Sequence, residues 1–81
     1  MEEIYNLIGM KHVDFVGQNG SPVKGWNFFF TYEDSKITGK GIKKVFIPDD
    51  RFAKLSFVPE VDSYCSLVYG PYNKVVGFSP I

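Results

Sequence analysis

One histidine, one cysteine and a lysine-rich strip beside an aromatic run carry most of the chemistry that this 81-residue chain offers. His12 and Cys65 are each the only residue of their type, and they stand more than 50 positions apart. One imidazole and one thiol make no metal-ligand pattern, because structural zinc takes four such ligands at short spacings. As a nucleophile–base pair they lack the orienting signature such sites carry. Acids are paired at Glu2–Glu3, Glu33–Asp34 and Asp49–Asp50, and adjacent carboxylates in turns and helix caps are structural. The run "GKGIKK" (39–44) is not a Walker-type loop opening a helix. The sequence therefore predicts no catalysis, no metal and no cofactor.

Binding chemistry remains. From Ser35 to Ile47 there are four lysines, Lys36, Lys40, Lys43 and Lys44, and no acid. Just upstream, "KGWNFFFTYE" (24–33) places five aromatic side chains within seven positions. Lysine ammonium groups attract phosphate within a Debye length of about 8 Å. Exposed rings stack unpaired bases, at about 1–3 kcal/mol per base. Together these predict a single-stranded nucleic-acid surface built from Lys24, Phe29, Lys40, Lys43, Lys44, Phe46 and Tyr72. The plainer alternative is a solvated lysine hairpin, with Phe29 and Phe46 packed under a helix or in a dimer interface and Tyr72 an ordinary turn residue.

The elements that must position these groups are mostly strands. "KHVDFV" (11–16) alternates, with Val13 and Phe15 on one side and His12 and Asp14 on the other, as a half-buried strand does. "GQNGSP" (17–22) is a turn. In "GWNFFFTYE", Trp26, Phe28, Phe30 and Tyr32 share one face, while Asn27, Phe29, Thr31 and Glu33 share the other. The first set makes a continuous aromatic stripe for a core, so Phe29 is the surplus ring. "EDSK" (33–36) is a tight turn. "ITGKGIKKVFIP" (37–48) is a strand with glycines at its start. Its apolar end allows two facings, Val45 and Ile47 inward with Lys44 and Phe46 outward, or the reverse. The first is preferred, but the pattern does not decide between them.

"PDDRFAKLSF" (48–57) is a helix of one to two turns, with Asp49 as its cap and Phe52 and Leu55 on one face. "SYCSLVYG" (63–70) is a strand in which Cys65, Leu67 and Tyr69 share a face. "GPYNK" (70–74) is a turn, and "VVGFSPI" is a last strand cut short by Gly77 and Pro80. "MEEIYNLIGM" either extends the first strand or forms a turn of helix. Five strands with a helix between the third and fourth is the order of a small antiparallel OB-like barrel. An SH3-like barrel or an open α+β sheet gives a similar string.

The chain is one domain by length. Nine basic and nine acidic residues cancel. A lone cysteine suits a reducing compartment, and there is no leader-like or membrane-length apolar run. These features predict a soluble cytoplasmic protein. The eight Phe, five Tyr and one Trp exceed what a core this small must absorb, which implies contact with a partner.

The stretches "VKGWNFFFTYE", "GKGIKKVFIPDDRF" and "SYCSLVYGPYNKVVGF", taken with the chain's size and element order, resemble the small single-stranded-DNA-binding proteins of phages and plasmids, including the filamentous-phage helix-destabilising type. The likeness is one of layout across most of the chain and carries no residue-by-residue correspondence. Those proteins usually have net positive charge or an acidic tail, and this chain has neither. The resemblance implies an OB-like barrel, a homodimer, and a role in replication or transfer of a mobile element. The competing expectation is a small protein-interaction module without nucleic-acid binding.

Overall fold

The computed structural model describes residues 4–81. Five strands form one antiparallel sheet: β1 Tyr5–Val16, β2 Pro22–Tyr32, β3 Gly41–Pro48, β4 Tyr64–Tyr69 and β5 Val75–Pro80. A one-turn helix, α1 Asp49–Phe52, follows β3, and a 3-10 turn Pro71–Asn73 joins β4 to β5. The order across the sheet is β3-β2-β1-β4-β5, so β1 is central and β3 and β5 are the two edges.

The long β1 serves two partners. It pairs with β2 from Asn6↔Thr31 to Val16↔Pro22, and with β4 at Tyr5↔Cys65 and Asn6↔Tyr64. Backbone bonds Leu7 N→Ser63 O (2.9 Å) and Asp62 N→Leu7 O (2.7 Å) continue that second seam. Between the two pairings the register shifts, with Leu7 opposite Phe30 and Gly9 opposite Phe29, leaving Ile8 over. An extra residue of this kind bends a strand and increases its twist, which lets the sheet coil. Of "MEEIYNLIGM", Tyr5–Met10 belong to β1; residues 1–3 lie outside the described residues.

The coiled sheet curls over its own aromatic face. Phe28 and Phe30 of β2 have no exposed surface, and neither do Leu7, Ile47 and Cys65. Phe78 of β5 meets Phe28 and Phe30 with ring centroids 4.8 and 5.7 Å apart. Tyr5 meets Phe30 edge-on at 6.0 Å. Offset and edge-to-face rings of this kind are worth about 0.5–1.5 kcal/mol beyond the area they bury. Phe52 of α1 stacks on Trp26 at 5.4 Å and on Phe28 at 6.2 Å, covering one end of the core. Edges β3 and β5 touch across this core but share no ladder. A shallow cleft of about 360 Å³ lies beside α1, lined by Pro48, Asp50, Arg51, Lys54, Leu55 and Val76.

Several expected boundaries move. The third strand begins at Gly41 rather than residue 37. Residues 37–39 form bends, with Gly39 at φ +95°, a region open to glycine. The helix is a single turn, and its N-cap is Pro48 with no side-chain cap bond. Asp49 takes another partner: its carboxylate oxygens lie 3.1 and 3.2 Å from His12 Nε2. Tyr69, at the end of the Cys65 and Leu67 face, is 47% exposed; beside it the β4–β5 register shifts after Val68, leaving Val76 of β5 over. Gly77 does not interrupt the last strand, which runs through it to Pro80. The "EDSK" turn is present, closed by Lys36 N→Asp34 Oδ1 (2.9 Å) and Ile37 N→Asp34 O (2.9 Å).

Phe28 touches three other rings inside this core, so Phe28→Ala is expected to cost about 3–5 kcal/mol. Urea unfolding followed by tryptophan fluorescence measures it. A cost below about 1 kcal/mol would show that the ring seam is not what holds the sheet coiled.

Candidate nucleic-acid interface

Alternation sends one set of side chains from β1, β2 and β3 into the core and the other set to the outside of the sheet. The pairing registers assign that outer set row by row. Gly9, Phe29 and Lys44 stand side by side, and the next row is Lys11, Asn27 and Phe46. Above them lie Thr31 and Ile42; below them lie Val13, Gly25 and Pro48, then Phe15 and Val23. Every outward position of these rows is lysine, uncharged polar, glycine, proline or apolar. No acid faces out among them.

Phe29 is half-buried, and its surroundings are uneven. On the β3 side is Lys44, directly opposite. On the β1 side is Gly9, where even an added Cβ would only reach van der Waals contact, 3.9 Å from Phe29 Cδ2. Lys11 lies diagonally beyond, within the roughly 7–8 Å that long side chains span in a sheet. Phe46, also half-buried, lies flat over Gly25: a Cβ there would fall 2.5 Å from Phe46 Cζ and 2.6 Å from the Ile47 carbonyl oxygen. A ring covering a cross-strand glycine is a recognised way of filling a gap in a sheet. Ile42 is 77% exposed at the β3 edge and Phe15 53% exposed on β1.

The seven residues singled out from the sequence therefore separate. Phe29, Lys44 and Phe46 come together on the outer face. Lys43 does not join them: it pairs with Phe30 on the opposite side of the sheet, because a one-residue step along a strand reverses the facing. Lys24 is also on the opposite side, across from Asp14. Lys40 is exposed in the loop just before Gly41. Tyr72 is fully exposed at the tip of the β4–β5 connection. There Tyr72 (φ 62°) and Asn73 (φ 58°) both take the left-handed conformation, which is costly for a bulky side chain.

Two residues of the outer face went unrecognised in the sequence, Lys11 and Phe15. "KHVDFV" does alternate, but the side with Val13 and Phe15 is the outer one. The side with His12 and Asp14 carries the core's parity, and His12 packs edge-on against Trp26 at 5.1 Å. Nothing in six residues says which side the sheet will bury; the pairing His12↔Trp26 decides it.

The two groups suited to covalent chemistry, Cys65 and His12, are not assembled. Cys65 is buried opposite Tyr5, whereas His12 is further along β1 by roughly 20 Å at strand spacing. Burial pushes the Cys65 thiol up from its ordinary pKa, which disfavours the reactive thiolate. No group of three or more His, Cys, Asp or Glu able to hold a metal occurs among the described residues. None of their helices is long and apolar enough to cross a membrane.

Fold and site together define a small, mostly β domain with one antiparallel five-stranded sheet and a basic, aromatic outer face. Comparison with protein-family models, with curated proteins and with solved structures found no match.

Because Phe46 and the Ile47 carbonyl fill the space above residue 25, Gly25→Ala forces one of them to move. The expected loss is about 1–3 kcal/mol, read as a lower urea midpoint. Wild-type stability in this variant would mean that Phe46 does not rest on Gly25.

Proposed function

We propose that this protein binds single-stranded nucleic acid on the outer face of β1, β2 and β3. The observation carrying this reading is Phe29 flanked by Lys44, with Lys11 diagonal to it and Phe46 one row on, in paired rows that hold no acid. A strand laid across the rows has its bases on Phe29 and Phe46 and its phosphates at Lys44 and Lys11. The two rings sit on neighbouring strands two residues apart, about 7–8 Å between Cβ positions, so each can serve its own base. Lys44 is beside both, across from Phe29 and two positions before Phe46, where it meets the phosphate joining those bases. Exposed ring faces and point charges accept any sequence, which suits the class of binder that coats rather than reads a strand.

The fold reading that goes with this is an OB-type barrel left partly open between β3 and β5. Such barrels bind oligonucleotides on the face of their second and third strands and on the β1–β2 and β4–β5 loops. Phe29, Lys44 and Phe46 lie on the corresponding strands here, and Tyr72 lies on the β4–β5 loop. The layout resemblance to phage and plasmid single-stranded-DNA-binding proteins is of the same kind, and it adds a role in the replication or transfer of a mobile element.

A second reading rests on a separate observation. The outward side of β1 and β4 bears Ile4, Ile8, Tyr64 and Val68, exposed by 50, 49, 60 and 42%. None of these is charged. An uncharged apolar patch of this kind favours contact with protein, including a second copy of the chain. Sedimentation at high salt separates the two readings, because association through this patch persists where lysine–phosphate contacts are screened.

Fluorescence anisotropy with labelled oligothymidylate tests the first reading. Affinity is expected to fall steeply as salt rises. Lys44→Gln should lower the slope of log K against log salt by about 0.7, the value of one phosphate contact on a single strand. Phe29→Ala or Phe46→Ala should lose about 1–3 kcal/mol of binding with little change in that slope. Absence of binding at low salt would sink the proposal.

A further inference from the structure

We propose that Asn27 reads the edge of a nucleobase held at Phe29 or Phe46, so that the face prefers some bases over others. The inference rests on the nucleic-acid reading and adds a specificity-determining residue to it. Asn27 faces outward in the row between Lys11 and Phe46. It is two positions from Phe29 along β2, which makes it the one uncharged polar side chain standing beside both rings. It is half-buried, and among the described residues its amide takes part in none of the side-chain hydrogen bonds.

The chemistry of the surrounding groups is what makes this amide informative. A phenylalanine ring accepts any base, because every base has a π-face. A lysine ammonium is a point charge with donors only. A carboxamide presents an acceptor and a donor side by side. Unpaired bases offer matching donor–acceptor pairs on their edges, and these edges are free in a single strand. Asparagine pairing in this bidentate way discriminates between bases by about fivefold or more.

The test uses the whole chain with short homopolymers of deoxyadenylate, deoxycytidylate and thymidylate, and an abasic strand of equal length. Wild-type protein is expected to rank the homopolymers, with about a fivefold or greater spread. Asn27→Ala and Asn27→Leu, the second of which keeps the side chain's bulk, should both weaken the tightest homopolymer about fivefold and collapse the spread. The abasic strand, which has phosphates but no base edge, should bind wild type and both variants alike. The inference fails if the spread survives both substitutions, or if abasic binding falls by the same factor as homopolymer binding, as a merely structural role would produce. If wild-type protein binds no strand at low salt, the underlying nucleic-acid reading fails first and takes this one with it.

Discussion

The contact on which the rest of the structure depends is the one between the rings of β2 and β5. Phe78 lies on β5, the edge strand at the far end of the sheet, yet its ring rests against Phe28 and Phe30. Those strands are separated in the sheet by β1 and β4. Only a strongly coiled sheet brings them face to face, and burial of these rings is what holds the coil. At this length a chain buries a modest fraction of its surface, so a few large rings must supply most of the apolar burial. With the inner set committed to that task, the alternate positions of the same strands are released to the outside.

That division explains why the outer face can be both aromatic and basic without threatening the fold. Phe29 and Phe46 are not needed to close the core, and each has found a glycine to lie beside, Gly9 and Gly25. Half-burial against a flat backbone patch keeps a ring ordered while leaving surface free. Lys44 and Lys11 are exposed next to those rings, and no acid stands in the paired rows they share. The charge balance of the chain is neutral, but the acids are spent elsewhere: Asp14 faces Lys24 on the opposite side of the sheet, and Asp49 meets His12 at the end of α1. A neutral protein thus has a locally basic surface, a matter of placement rather than of composition.

Much of the fold was legible in the residues. Period-two patterning in "GWNFFFTYE" separated Phe28 and Phe30 from Phe29, whereas the facing of Val45 and Ile47 stayed open until the β2–β3 register put them inward and Lys44 and Phe46 outward. The turn at Asp34 and the break at "GPYNK" followed from turn chemistry that acts over three or four residues. Patterning was weaker where it had to choose a face without a core to refer to. "KHVDFV" alternates cleanly, yet which side is buried depends on pairing with β2. Lys43 and Lys44 are neighbours in sequence, and only strand geometry puts them on opposite sides. The bulge at Ile8 and the register shift at Tyr69 left no mark in the local pattern.

The sequence by itself determined a small, mostly β domain, its strand-rich order, the stripe of rings that forms the core, and the presence of surplus rings and lysines. These are local properties: turn preferences, side-chain alternation and apolar content act between residues near one another in the chain. Tertiary structure alone decided which of those lysines and rings share a surface. That depends on the register of β1 against β2 and of β2 against β3, where a slip of one residue would exchange inside for outside. It also depends on the coil that carries β5 over β2, a contact between segments almost 50 residues apart in sequence. No short stretch of sequence encodes either.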